Sequence, residues 1–130
     1  MLRRMANYAS DVLSEQLAIA QALSDSSRVR VLMALRTGEL CACQLIELLE
    51  LSPSTVSRHM GVLRQAGLVQ QRRNGRWTNY HLAGAGSSPA VRGALGWLAA
   101  VLEGDPRIRA DRQLMADILL QDKEELCRRH

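Results

Sequence analysis

Three cysteines are the residues of this 130-residue chain whose type and spacing point most directly to chemistry. Cys41 and Cys43 are separated by a single residue, and Cys127 lies close to the end of the chain. An odd number of cysteines without a secretory signal argues against a disulfide framework, so we expect reduced thiols. Reduced thiols close together can be small core residues, a redox pair or ligands for a soft ion.

The spacing of Cys41 and Cys43 restricts how the two thiols could hold one ion. Side chains two residues apart on a regular helix point about 200° away from each other, so they cannot clamp an ion without distorting the helix. The sequence predicts a helix from about Cys41 to Glu50. Both thiols then lie in its first turn, where backbone N–H groups are unpaired. We expect an ion bound there to unwind or re-aim this helix.

A basic segment without acidic residues lies in the middle of the chain. Residues 52–82 hold five arginines and no Asp or Glu, whereas the other 99 residues hold 12 basic and 13 acidic side chains. Sixteen of the 17 basic residues are arginines, whose planar guanidinium suits bidentate contacts with phosphate and guanine. Such a segment on a near-neutral body is typical of polyanion binding, and a solvated charged face is the alternative.

The basic segment opens with a helix whose ends are marked by the sequence. Ser52 is the predicted N-cap, Pro53 takes the first helical position, and Gly67 stops the helix after Ala66. The residues predicted to face the core are Val56, Met60 and Leu63. The opposite face is small, polar and basic, so it can approach DNA closely.

Two strands, 68–72 and 76–82, are predicted next, joined through the hairpin dipeptide Asn74-Gly75. Further helices are predicted over about 8–23, 26–37, 90–102 and 107–127. A helix-turn-helix followed by a basic hairpin is a winged helix, which is mainly α with one β-hairpin. Its second helix enters the major groove, while the wing contacts phosphates or the minor groove.

The length of the chain predicts a single domain, residues 1–130, with the helix-turn-helix at about 41–66 and the wing at about 68–82. The apolar stretch 93–102 is shorter than a membrane span, so we expect a soluble cytoplasmic protein without a membrane partner. A thiol enzyme would need a base near its nucleophile. His59, His81 and His130 are all distant from Cys41 in sequence, so no enzymatic activity is expected.

Three segments resemble the ArsR/SmtB family of metal-responsive bacterial repressors. They are ELCACQL at 39–45, STVSRHMGVLRQAGLV at 54–69 and RNGRWTNYHL at 73–82. The resemblance runs from about residue 18 to 102. It implies a homodimer that binds a two-fold-symmetric operator and is released by its inducer. In that family the terminal helices form the dimer interface, and the apolar stripes at both ends of this chain fit that role.

The resemblance also implies an inducer. The motif that holds Cys41 and Cys43 is similar to that of the arsenite- and antimonite-responsive branch, and soft trivalent arsenic and antimony favour thiolates. Some members have a third cysteine where this chain has Ile46. Cys127, a non-protein thiol or hydroxide would then complete a site for As(III) or Sb(III). Another thiophilic metal (Cd, Zn or Pb) or oxidation of the thiols is the alternative.

We expect the partner of the basic segment to be double-stranded operator DNA, in the form of an imperfect palindrome. Arg58 and Gln65 are expected to read base edges or adjacent phosphates, and the wing arginines to hold the backbone. The predicted DNA-binding residues are Ser54, Thr55, Ser57, Arg58, His59, Arg64, Gln65, Arg72, Arg73 and Arg76.

Overall fold

The computed structural model describes residues 2–130, with side chains from residue 11 onward. The helices are α1 (Leu2–Ala22), α2 (Ser26–Leu35), α3 (Ala42–Leu49), α4 (Pro53–Gln65), α5 (Pro89–Val101), α6 (Pro106–Leu119) and α7 (Lys123–Arg128). The strands are β1 (Leu40–Cys41), β2 (Val69–Asn74) and β3 (Trp77–Leu82), which form one antiparallel sheet in the order β1-β3-β2. The predicted winged helix, mainly α with a β-hairpin, is confirmed.

The ends of the helix-turn-helix follow the predicted signals. The Ser52 side chain accepts a hydrogen bond from the Thr55 backbone N–H (3.3 Å), and Pro53 begins α4. Gly67 takes a positive φ of 78° directly after the helix, a conformation that an L side chain disfavours. Asp25 caps α2 in the same way, because its carboxylate accepts from the backbone N–H groups of Ser27 and Arg28.

The helix-turn-helix is held together by a fully apolar contact surface. The three α4 residues predicted to face the core, Val56, Met60 and Leu63, are buried. They belong to one cluster with Leu45 and Leu48 of α3 and with Leu68 before the wing. Burying each of these side chains stabilises the fold by about 1.5–3 kcal/mol, so the polar face of α4 is fixed in direction by the opposite, apolar face.

A buried ion pair joins three of the helices. The Arg30 guanidinium of α2 donates to both carboxylate oxygens of Asp111 on α6, at 2.8 and 3.0 Å, and also to the Leu48 carbonyl of α3 at 3.4 Å. The two charged side chains are only 13% and 9% exposed. This pair ties the helix-turn-helix to the C-terminal part of the chain.

Two predicted helix starts are wrong. The first helix begins at Leu2 rather than near residue 8. The helix predicted from Cys41 begins at Ala42, because Cys41 has an extended backbone (φ −86°, ψ 161°) and pairs with Asn79 of β3. The two thiols therefore do not share a helix, and the 200° separation argued from a regular helix does not apply.

The helix predicted over 107–127 is in fact two helices. The first, α6, ends at Leu119, and Asp122 caps α7 by accepting from the Glu125 backbone N–H (3.4 Å). The chain turns at this break because Leu126, which is completely buried, packs into the core with α3. The turn brings the end of the chain beside the first turn of α3.

The turn of the wing is displaced by one residue from its predicted position. Asn74 pairs with Trp77 at the end of the ladder, so Gly75 and Arg76 are the two turn residues. Gly75 has a φ of 62°, whereas Asn74 keeps a negative φ. Glycine at the first position of a two-residue turn suits a hairpin as well as Asn-Gly does. Arg76 is thereby at the tip of the hairpin.

Several helices present apolar side chains to solvent, α1, α5 and α6 among them. Val12, Leu13 and Leu17 of α1 are 53–60% exposed, and Trp97 and Val101 of α5 are 59% and 54% exposed. Large apolar side chains grouped on neighbouring helices are typical of a surface that another molecule covers. In the part of the chain that the structure describes, no helix is long and apolar enough to cross a lipid bilayer.

Candidate functional site

The outward face of α4 is open to solvent. Five residues of this face are exposed: Ser54, Ser57, Arg58, Arg64 and Gln65. Thr55 is half-buried, and its hydroxyl lies 2.8 Å from the Ser52 hydroxyl. Short side chains near the start of the helix leave room for a polyanion to reach the backbone. The bulkier Arg58 then projects from the middle of a small, polar surface. The predicted recognition residues therefore share one accessible face.

His59 lies at the edge of this face and has a protein partner. Its Nδ1 is 3.1 Å from a terminal guanidinium nitrogen of Arg28. The Nε of the same arginine donates to the Ala22 carbonyl. Because a guanidinium only donates, Nδ1 accepts in this contact and carries no proton. The Arg28–His59 contact joins α2 to α4, and it leaves Nε2 as the atom through which His59 could meet DNA.

Two of the three predicted wing arginines are paired with carboxylates. Arg72 donates to both oxygens of Glu39, with distances of 2.6 and 3.2 Å. The hydrogen bond to Arg72 holds the pKa of Glu39 below its usual range, and the same contact raises the pKa of Arg72. Arg76 donates to Glu124 of α7. Arg73 is exposed between them on β2.

A disulfide joins Cys43 of α3 to Cys127 of α7. The prediction that all three thiols are reduced is therefore wrong for this state of the protein. The two cysteines are 84 residues apart, and their Cα atoms come within 5.2 Å because α7 packs on α3. Cys127 is fixed by a helix rather than left at a frayed end.

Cys41 is the free thiol among the three cysteines, and it is almost inaccessible, with 1% of its surface exposed. Its backbone N–H donates to the Gln44 side chain (2.9 Å), an interaction that satisfies one of the unpaired N–H groups at the start of α3. Cys41 thus has a structural role at the junction of β1 and α3 in addition to any role as a ligand.

The three cysteines line one cavity of about 410 Å³ between α3, the wing and α7. The other lining residues are Ala42, Arg76, Trp77, Thr78, Glu124 and Arg128. In this oxidised state, the described residues contain no group of three His, Cys, Asp or Glu side chains arranged to hold a metal ion. The cavity nevertheless places the thiol chemistry directly against the end of the wing that carries its turn.

Sequence reasoning missed the carboxylates that meet the wing and the core. Glu39 and Glu124 are distant in sequence from the arginines they bind, by 33 and 48 residues, and no local pattern signals such contacts. Asp111 did carry a signal. It lies three residues after Ile108 and four before Met115, both buried, so its position on the core-facing stripe of α6 required a cationic partner.

Comparison with known proteins gives a consistent result. The family described as "Bacterial regulatory protein, arsR family" matches residues 25–71. The chain is 40% identical over 87 residues to the arsenic resistance transcriptional regulator ArsR1 of Pseudomonas putida, covering 66% of this chain and 62% of that protein. It is 39% identical over 62 residues to the arsenical resistance operon repressor of Escherichia coli, and the match covers 47% of this chain and 53% of that protein. The chain therefore spans less than two thirds of either relative.

Solved structures agree in fold. HlyU from Vibrio cholerae is 30% identical and superimposes with a TM-score of 0.58, covering 68% of this chain and 91% of that one. The transcriptional repressor BigR from Xylella fastidiosa is 25% identical and superimposes with a TM-score of 0.57, covering 81% of this chain and 96% of that one. These relatives are regulators rather than enzymes, in agreement with the sequence-based expectation. The matched helix-turn-helix, the wing and the identity with named regulators establish that this chain belongs to the arsR family of bacterial regulatory proteins.

Proposed function

We propose that the protein is a homodimeric DNA-binding transcriptional repressor that leaves its operator when trivalent arsenic or antimony binds its cysteine thiolates. The observation that carries the proposal is the cavity in which Cys41, Cys43 and Cys127 meet the wing at Arg76, Trp77 and Thr78, close to its turn. An inducer bound there touches both the first helix of the helix-turn-helix and a DNA-contacting hairpin. A repressor of this kind acts on the chromosome, so we expect it in the cytoplasm.

The exposed surface supports the DNA-binding half of the proposal. The polar face of α4 and the arginines of the wing lie in the longest stretch of the chain that lacks acidic residues. Specific reading is assigned to Arg58 and Gln65 with Ser54, Thr55 and Ser57, and backbone contacts to His59, Arg64, Arg72, Arg73 and Arg76. Arginine forms bidentate contacts with guanine in the major groove, and wing arginines add contacts with phosphates that carry no sequence information.

The exposed apolar surfaces of α1 and α5 support the homodimer. Val12, Leu13, Leu17, Trp97 and Val101 form these surfaces. The winged helix-turn-helix domain Mb0332 from Mycobacterium bovis, whose solution structure is described as homodimeric, has the same fold (TM-score 0.61, 24% identity). A two-fold dimer presents two recognition helices about one DNA turn apart, which an imperfect palindrome requires.

Thiolate chemistry supports the inducer. As(III) and Sb(III) are soft and take sulfur ligands, and each bond from a thiol to As(OH)₃ releases one water. Reduced Cys43 and Cys127 supply two ligands that are already adjacent. Cys41 lines the same cavity but is buried, so it becomes the third ligand only if the junction of β1 and α3 opens. Binding of three sulfurs would therefore displace the start of α3.

The test is a titration of arsenite into the reduced protein bound to labelled DNA from upstream of its own gene, followed by fluorescence anisotropy at fixed salt. We expect release at micromolar arsenite and loss of that response in Cys43→Ser. Cys127→Ser and Cys41→Ser, measured in parallel, decide whether Cys127 is the second ligand and whether Cys41 is the third. Tight binding that arsenite does not reverse in any of these proteins would refute the metalloid as inducer and keep the repressor.

Thiol oxidation is the second candidate signal, and the Cys43–Cys127 disulfide favours it. In that case a peroxide without any metal would release the DNA, and a phosphine reductant would restore binding. Cd, Zn and Pb belong in the same series of titrations, because thiolates bind all three. Release by peroxide alone, with no response to any ion, would favour oxidation over metal sensing.

A further inference from the structure

The positive charge of the wing is partly occupied by the protein's own carboxylates. Arg72 is bound to Glu39 and Arg76 to Glu124, so two of the three wing arginines are neutralised within the chain. The two acids differ in origin. Glu39 immediately precedes β1, a strand of the sheet to which the wing also belongs. Glu124 comes from α7, close to the other end of the described chain.

Arg76 has two neighbours at the tip of the hairpin. Its guanidinium contacts the Glu124 carboxylate and lies 5.0 Å from the centre of the Trp77 ring. The Arg76 and Glu124 side chains are 68% and 52% exposed, so a phosphate can reach this site. The guanidinium edge that binds a carboxylate is the edge that binds a phosphate. One Arg76 nitrogen is bound to Glu124, so a phosphate that takes a bidentate contact through this nitrogen competes with Glu124 for it.

The position of Glu124 depends on α7, which is attached to α3 at the cysteine cavity. Cys127 lies three residues after Glu124, on the next turn of the same short helix, and its sulfur is bonded to Cys43. Leu126 anchors the same helix in the core. A bond between the two cysteines therefore fixes the carboxylate against the wing, because six residues of helix leave little freedom between Glu124 and Cys127.

We infer that Glu124 is an intramolecular competitor of DNA for Arg76, and that joining Cys43 to Cys127 holds it in place. Occupation of the cysteine cavity then weakens the wing's contact with DNA. The inference rests on the proposed function and adds a residue that transmits the signal. A disulfide forms when the two thiols lose two electrons and two protons to a peroxide, which is reduced to water. A bridging arsenic(III) forms two As–S bonds and releases two waters.

The experiment compares Glu and Gln at position 124 in two states of the cysteine pair. In the bonded state the wild-type chain is oxidised with hydrogen peroxide until only one thiol titrates. The unbonded states are the Cys127→Ser variant and the phosphine-reduced wild type, so the comparison survives if one of them fails to fold. The affinity for labelled duplex from upstream of the gene is measured by anisotropy between about 50 and 200 mM salt.

In the bonded state, Glu124→Gln is expected to raise the affinity for DNA about two- to fivefold per wing, the range that exposed ion pairs support. The salt dependence should steepen by about 0.9 per wing, because Arg76 gains a phosphate contact. In both unbonded states the same substitution should change affinity less than twofold. Glu125→Gln is the matched control, since it removes the same charge from the same helix. Glu125 pairs with Arg128 (3.6 Å) rather than with Arg76.

If Glu125→Gln raises the affinity for DNA as much as Glu124→Gln does, specific competition for Arg76 is refuted. If Glu124→Gln raises the affinity equally in bonded and unbonded protein, the link to the cysteines is refuted. Elution from a heparin column, measured on the same proteins, tests the availability of Arg76 without operator DNA. If no duplex is bound but the Gln variant elutes at higher salt only when bonded, the proposed function fails, whereas the masking of Arg76 by Glu124 and its dependence on the cysteine bond are upheld for a polyanion other than DNA. If duplex is bound and Gln changes nothing, the inference alone fails.

Discussion

The Asp111→Asn substitution tests the buried ion pair that joins α2 to α6. Asparagine has nearly the same volume, so the packing is retained while the negative charge is removed. Arg30, 13% exposed, is then left as a buried cation that keeps the Leu48 carbonyl and one side-chain oxygen as acceptors in place of two carboxylate oxygens. Breaking a buried pair from one side typically costs 3–5 kcal/mol. We expect about 3 kcal/mol, because the amide oxygen still accepts one hydrogen bond.

A loss of this size is a large part of the 5–15 kcal/mol by which domains are usually stable. Urea unfolding followed by circular dichroism measures it. With a urea dependence of about 1–3 kcal/mol per molar, the midpoint should fall by about 1–3 M while the slope stays the same. All proteins must be compared at one protomer concentration, because the proposed dimer would make the apparent stability depend on that concentration.

Asp117→Asn on the same helix is the matched control, since Asp117 is exposed and its neutralisation should change stability by less than about 0.5 kcal/mol. The double variant Arg30→Met with Asp111→Leu removes both charges and should recover most of the loss, because no buried charge remains. A midpoint for Asp111→Asn that matches the Asp117→Asn midpoint would refute the reasoning.

Three further predictions concern DNA, assembly and pH. Arg58→Ala should weaken operator binding by about 1–3 kcal/mol and relax the discrimination between operator and random DNA. Arg73→Ala should instead weaken binding to every sequence and lower the salt dependence of the affinity by about 0.9 per wing. Anisotropy measured on specific and random duplexes separates the two effects. Trp97→Asp should yield monomers in sedimentation equilibrium, and a persistent dimer would contradict the assigned interface. The depressed pKa of Glu39 means that its contact with Arg72 stabilises the fold above the ordinary value of 4.5 and ceases to do so as the pH falls through the depressed pKa. Arg72→Gln should return the Glu39 pKa towards 4.5 in a carboxyl NMR titration, and an unchanged pKa would contradict that cause.

Features that depend on neighbouring residues were predictable. Ser52 and Pro53 start α4 and Gly67 ends it because capping, a fixed proline φ and a left-handed glycine act over a few residues. The burial of Val56 and Met60 follows from helical periodicity in the same way. The order of α1 to α5 and the hairpin, the winged-helix class and the basic face of α4 all follow from patterns that extend over only a few residues.

The sequence by itself therefore determined the fold class and the polar, basic face of α4 that we propose contacts DNA, and it singled out the three cysteines as candidates for metal-binding or redox chemistry. Only the tertiary structure decided which of them are neighbours. Cys43 and Cys127 are 84 residues apart, and they meet because the chain breaks after α6 and buries Leu126 against the core. Pairing of Arg76 with Glu124 depends on the same event. Contacts between distant segments follow from how the helices pack as a whole, and no local pattern of residues encodes that arrangement.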